Sequence, residues 1–239
     1  MRTYRSDAII IKRRNFLEKD RILTLFSKEL GKIEALAKGA RRPGNRLSPN
    51  SDLATIAKFH IHRTKSIDII SEIEPIFHPF GARGKFDKTQ KISFGLKIID
   101  KLFELDEPHE RTYEVLAKLI RSVSDHEKQL IFLKFLIEVL NDLGYLPNFI
   151  GCSNCHRQIS AKDDFVFNLK GGLSHTDCCK ENFLDIGKDE VKLLKFLSDS
   201  KTDDIVNYKA NKIVFEKTYN LIRQYFSFEF GKMLPDHIL

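Results

Sequence analysis

The period of the hydrophobic pattern changes once along this 239-residue chain, near residue 80, and that change limits the folds open to it. Before it, apolar residues come in short runs: Asp7–Lys12, Arg21–Phe26, Lys32–Ala37, Thr55–His62 and Ser66–Ile73. Several of the runs alternate apolar with polar, as in Ala57-Lys58-Phe59-His60-Ile61-His62. A period of two sends successive side chains to opposite faces and reads as strand. Gly31 and the Gly39–Asp52 stretch, with Pro43, Gly44, Asn45, Pro49 and Asn50, supply turn material between the runs. Five short strands in about 75 residues predict a five-stranded OB-type β-barrel. The long basic connection Lys38–Asp52 is expected to be a mobile loop beside it, the kind of segment that often carries binding function.

After Pro75 and Pro79 the spacing becomes helical. Phe86, Ile92, Leu96, Ile99, Leu102 and Phe103 form one stripe, and Tyr113, Leu116, Ile120 and Val123 a second. Glu127–Leu143 holds ten apolar residues; a helix apolar nearly all round is buried, which marks this one as the centre of a helical bundle. Asp125 is placed to cap it, and Gly144 with Pro147 to end it. Helices are also expected over Lys188–Ser200 and Ile213–Lys232. The aromatic stripe of the latter (Phe215, Tyr219, Tyr225, Phe226) reads as core rather than as a base-stacking platform.

Charge follows the same division. The net charge is +7. Residues 1–80 hold 16 Lys and Arg against 9 Asp and Glu, whereas residues 81–239 hold 24 of each. The whole excess therefore belongs to the first third, concentrated at Lys12-Arg13-Arg14 and at Lys38, Arg41, Arg42 and Arg46. Such an asymmetry points to a localised basic surface for phosphates, with a solvated lysine-rich face as the plainer alternative.

All four cysteines lie between 152 and 179. Cys152-x2-Cys155 is followed after nineteen residues by His175-x2-Cys178. Zn²⁺ favours thiolate sulfur and imidazole nitrogen in a tetrahedron, and a C-x2-C turn supplies two such donors at once. The stretch Phe165–Leu169, the turn Lys170-Gly171-Gly172 and Leu173-Ser174 form a hairpin between two such knuckles. The reading is one structural zinc held by Cys152, Cys155, His175 and Cys178, with His156 and Cys179 as competing fourth ligands. The N-terminal Met1–Ile11 is too short for a signal-peptide core and no run of residues is long enough to span a membrane, so the chain is expected in the cytoplasm. That compartment disfavours disulfides.

Enzyme signatures are sparse. No P-loop, nucleophile elbow or zinc-deaminase pattern occurs. The acidic pairs Asp163-Asp164, Asp189-Glu190 and Asp203-Asp204 read as solvated residues or helix caps rather than metal-binding nuclease carboxylates. His60 and His62 share a strand face without an evident third ligand. Two alternatives remain open beside DNA binding by a non-enzyme: a zinc-ribbon nucleic-acid-processing enzyme such as a nuclease, and an adaptor whose basic barrel meets an acidic protein.

Several segments resemble one family. Asp7-Ala8-Ile9-Ile10-Ile11-Lys12, the stretch Glu18–Ser27, Gly31-Lys32-Ile33 and the basic Ala37-Lys38-Gly39-Ala40-Arg41-Arg42-Pro43 are similar to the start of the bacterial recombination mediator family RecO. The order of barrel, helices and CxxC hairpin is similar too, so the resemblance covers essentially the whole chain. It implies a non-enzymatic protein of DNA repair and recombination that binds single- and double-stranded DNA and anneals complementary strands. It further implies action with RecR, and in many bacteria RecF, to load RecA onto DNA coated by single-strand-binding protein (SSB), and contact with the acidic C-terminal tail of SSB. The setting is the cytoplasm, at the nucleoid, with no membrane contact. Zinc-bearing members commonly have cysteine where His175 stands here.

The expected class is thus α+β. An OB-fold DNA-binding domain spans 1–80, a helical domain spans 81–150 and 180–239, and a zinc-binding hairpin over 151–179 is inserted in the latter. Lys12, Arg13, Arg14, Lys38, Arg41, Arg42 and Arg46 are the candidate phosphate contacts. Phe16, Phe26 and Phe59 are each either base-stacking rings or barrel core.

Overall fold

In the computed structural model, which describes residues 3–79, 90–122, 129–160, 162–205, 208–232 and 234, the alternating runs of the N-terminal third are five strands. These are β1 (Thr3–Phe16), β2 (Asp20–Ser27), β3 (Gly31–Ala37), β4 (Ile56–His62) and β5 (Asp68–Phe77). They close in the order β1-β2-β3-β5-β4. β1 reaches both neighbours: Thr3–Ile9 pair with β4, and Ala8–Phe16 pair with β2. β3 and β5 run parallel over Ala35–Ala37 and Asp68–Ile70, and the remaining pairs are antiparallel. This is the expected five-stranded OB-type barrel.

Alternation decides what fills it. Ala8 and Ile10, Leu23 and Leu25, and Ala57, Phe59 and Ile61 belong to one buried cluster inside the barrel. Strands β1 and β2 are buried on their other face as well, which is why their apolar residues run consecutively. There the Phe26 ring meets Phe103 edge-on with centroids 5.7 Å apart, and Tyr113 at 6.3 Å. The covering elements are α1 (Gln90–Leu102), with Phe103 just beyond it, and α2 (Glu110–Arg121). A β-bulge at Ile11, between the pairs Ile10–Leu25 and Lys12–Thr24, resets the alternation where β1 leaves the barrel wall.

Barrel, α1 and α2 lie in one compact unit, Met1–His126; the other is Glu127–Leu239. Phe86, Val123 and the cap assigned to Asp125 lie outside the described residues. In the second unit α3 (Gln129–Asp142) is buried all round, as its composition requires. Two charges are buried with it. Lys134, 2% exposed, pairs with Glu138, 7% exposed, one turn on, and donates to the Leu197 carbonyl at 2.7 Å. That carbonyl lies in the last turn of α4 (Lys188–Asp199), where the helix dipole favours a cation. α5 (Thr202–Ile205) follows, then α6 (Lys212–Phe230), capped by the Asn211 side chain accepting from the Ile213 N–H at 2.9 Å. The aromatic stripe of α6 is core: Phe215, Tyr219, Tyr225 and Phe226 are all buried. Between α3 and α4 lies a sheet of β6 (Phe165–Asn168), β7 (Gly172–His175) and β8 (Phe183–Leu184), in the order β7-β6-β8. Phe167 ties it to α6 through an edge-to-face contact with Tyr225 at 5.5 Å. Among the described residues no helix is long and apolar enough to cross a membrane.

Candidate nucleic-acid interface and metal centre

Beyond the bulge, Lys12–Phe16 pair with β2 alone, so this end of β1 forms an arm with one open edge, while β2 beside it still pairs with β3. An open strand edge invites pairing with another chain, and a run of cations blunts it. Lys12, Arg13 and Arg14 are exposed on this arm, and each has an acidic partner. Lys12 meets Asp100 of α1 at 2.8 Å, Arg13 pairs with Asp52, and Arg14 lies 3.6 Å from Glu34.

The Lys38–Asp52 connection is not a free loop. Ala40 and Leu47 are buried in the barrel cluster. The Gly39 N–H donates to Asp20 Oδ1 at 2.7 Å, and the Arg41 N–H to the Lys19 carbonyl at 3.0 Å. The Arg41 guanidinium donates to the carbonyls of Leu17 and Glu18 at 3.4 and 3.0 Å. Arg21 donates to Ser51 Oγ at 2.7 Å. The loop is therefore pinned against the tip of the arm. Lys38, Arg42 and Arg46 are exposed on it and form no ion pair among the described residues. Of the seven candidate phosphate contacts, three are thus paired to acids, one braces the backbone, and three are open. Phe26 and Phe59 are fully buried, whereas Phe16 is exposed at the end of the arm.

In the second unit the sulfurs of Cys152, Cys155 and Cys178 and a ring nitrogen of His175 all lie within 4.8 Å of one another. The backbone brings the two knuckles together. Asn148 exchanges hydrogen bonds with the 171–173 turn: the Asn148 N–H donates to the Gly171 carbonyl at 2.9 Å, and the Leu173 N–H to the Asn148 carbonyl at 2.8 Å. The Ser153 N–H donates to the Leu173 carbonyl at 2.7 Å. Gly172 makes this approach feasible: its φ is +106°, and a Cβ there would stand 2.4 Å from the Asn148 carbonyl oxygen.

The donors are electrostatically linked. Burial acts to raise the Cys152 thiol, but hydrogen bonds from the backbone N–H groups of Cys155, His175 and Asn154 outweigh it and bring the thiol down to about 5. Cys155 is lowered by the Arg157 side chain first of all. Desolvation, then the neighbouring Cys155 and Cys152, pushes Cys178 up to about 11. Cys155, at 3.4 Å, and Cys152 raise His175. Like charges at one site drive their proton affinities apart, and a bound cation relieves that repulsion. Three thiols and an imidazole form a soft donor set that could hold a metal such as zinc. The second ring nitrogen of His175 faces Asp163 at 3.9 Å, the position from which a carboxylate orients a ligating imidazole. Cys179 is turned away, its Sγ 3.4 Å from the Glu181 carbonyl, and neither it nor His156 joins the cluster.

Asp189 and Glu190 stand in the first turn of α4, and Asp203 and Asp204 in that of α5. One grouping escapes the linear sequence. The register of β4 on β5 sets His60 opposite Glu72, and His60, Glu72 and Glu74 offer ligand atoms within 4.8 Å of one another, while His62 contacts Thr3 Oγ1 at 3.0 Å. Only the strand pairing brings these acids to His60.

Comparison with known proteins identifies the chain's relatives. Residues 1–78 match the family described as recombination protein O N terminal, and residues 83–236 match recombination protein O C terminal. A DNA repair protein RecO of Desulfitobacterium hafniense is 28% identical over 178 residues, which is 74% of this chain and 65% of that protein. The proteins of the same name from Pelotomaculum thermopropionicum and Caldicellulosiruptor saccharolyticus are 25% and 29% identical. They match over 99% and 92% of this chain, and over 93% and 88% of their own lengths. With both halves matched in order, the chain belongs to the recombination protein O family.

Proposed function

We propose that this protein is a non-enzymatic mediator of DNA repair and recombination. It binds single- and double-stranded DNA, anneals complementary strands and, with RecR and in some settings RecF, helps load RecA onto SSB-coated DNA. The observation that carries the reading is the pinned loop on a closed OB-type barrel, which holds Lys38, Arg42 and Arg46 exposed and without acidic partners among the described residues. Membership of the recombination protein O family supports the step from DNA binding to repair. Cations that neutralise phosphates release condensed counterions, so binding falls steeply with salt; six contacts to a single strand give a slope of roughly −4 in log K against log salt. Annealing needs no bond-making residue: a cationic surface that holds two strands screens their repulsion and raises their local concentration.

In this reading residues 1–80 are the DNA-binding module. The helical residues 81–150 and 180–239 carry protein contacts, among them RecR and the acidic SSB tail, and 151–179 is a hairpin stapled by one structural Zn²⁺. Cys152, Cys155, His175 and Cys178 would hold that ion; four protein donors leave no position for a reacting water. The protein works in the cytoplasm, at the nucleoid. The deciding experiment is annealing of complementary oligonucleotides precoated with SSB, comparing wild type with a variant neutralised at Lys38, Arg42 and Arg46. Loss of annealing with the fold intact supports the proposal, and equal annealing refutes the loop's role. Cleavage of labelled DNA in Mg²⁺ would instead favour a nuclease.

A further inference from the structure

The arm ends on two large apolar side chains that lie outside the barrel's core cluster. Phe16 is 37% exposed and Leu17, beside it in the turn, is 75% exposed. Leu17 also has a φ of +50°, in the left-handed region that side chains with a Cβ enter at a cost and that Asn or Gly enters cheaply. The turn is not loose. The Arg41 guanidinium holds the carbonyls of Leu17 and Glu18, and the Arg41 and Gly39 N–H groups hold Lys19 and Asp20. A strained residue kept in place by its surroundings, with its apolar side chain aimed at solvent, is the usual mark of a binding element.

We propose that Phe16 and Leu17 form a wedge that contacts unpaired nucleobases of single-stranded DNA. The inference rests on the DNA-binding reading above and names the part of the strand that the arm touches. Strand alternation puts Phe16 on the same face of the arm as Lys12 and Arg14, which Asp100 and Glu34 already engage. Lys19 and Arg42 are exposed close to it in the chain's turn and loop, against a single exposed acid in the turn, Glu18. A phosphate backbone drawn along Lys19 and Arg42 brings its bases to the apolar tip. An aromatic ring stacks on any base, and an aliphatic side chain fills an opened base step, so contact of this kind is independent of sequence. Phosphates gain nothing from either side chain; bases do.

The test separates the two contributions. Binding of wild type, Leu17→Asn and Phe16→Ala is measured on a thymidine oligonucleotide and on an abasic strand of equal length, across a salt series. Asn is at ease at positive φ, so Leu17→Asn keeps the turn, and Phe16→Ala tests the wedge without touching the turn residue. On the thymidine strand each variant is expected to lose about tenfold in affinity at every salt concentration, with the salt slope unchanged. On the abasic strand both variants should match wild type. Unchanged affinity on the thymidine strand, as for a tip that serves a protein partner, overturns the wedge. So does an equal loss on both strands. Failure of wild type to bind either strand overturns the underlying DNA-binding reading instead.

Discussion

The barrel and the knuckle hairpin are both small β-structures, but they are held in different ways. The barrel closes on itself and encloses a cluster that includes the fully buried Phe59, Leu23 and Leu25. The hairpin has strands of four, four and two residues, and its two knuckles converge on polar, mutually repelling donors. Apolar burial contributes roughly 25 cal/mol per Å², and the short sheet buries far fewer apolar side chains of its own than the closed barrel does. Charge differs too: the first third of the chain carries the whole net excess, and the rest is neutral.

The contrast can be broken in four places. The largest effect is expected at the proposed metal site: chelation or Cys155→Ser should abolish the slow amide exchange of β6 and β7 while leaving that of β1–β5 unchanged. Structural zinc contributes on the order of 10 kcal/mol in small domains, and hydrogen exchange read by mass spectrometry resolves the two regions. Equal loss in both would show that they are not independent. Next, Phe59→Ala should cost about 3–5 kcal/mol in denaturant unfolding, from lost transfer energy plus a cavity, with zinc content unaltered. Third, Gly172→Ala should cost about 1–3 kcal/mol through its disfavoured φ. The clash with Asn148 adds to this and should lower metal retention during dialysis. The smallest effect sharpens the charge comparison. Neutralising Lys38, Arg42 and Arg46 should flatten the salt slope for single-stranded DNA by about 2. Neutralising Lys12, Arg13 and Arg14 should change it less, because each is already paired with an acid. Equal changes would mean that those ion pairs open on binding.

The barrel was legible because its alternation is nearly unbroken: Ala57, Phe59 and Ile61 face inward as their period requires. The four donors were legible because two x2 spacings have few other uses, and the structure brings those side chains together. Other features depend on partners distant in sequence. No local pattern tells that Lys12 will meet Asp100, that Arg41 will brace Leu17, or that Lys134 will find a carbonyl on α4. A charge count treats Arg14 and Arg42 alike, yet one is neutralised by Glu34 and the other is open. The Lys134–Glu138 spacing of four in an apolar run was a usable signal, since two buried charges one turn apart must pair.

The closing seam of the barrel has a consequence for synthesis. β1, which ends at Phe16, pairs with β4 from Thr3–His62 to Ile9–Ile56, and β4 ends only at His62. At roughly 5–20 residues per second, some 2–9 s separate the completion of β1 from that of β4, its closing neighbour. Through that interval Thr3–Ile9 have one edge without its partner strand. A nascent chain with such an edge is open to pairing with its neighbours on a polysome, so yield should respond to translation rate and chaperone supply more than to the stability of the finished barrel.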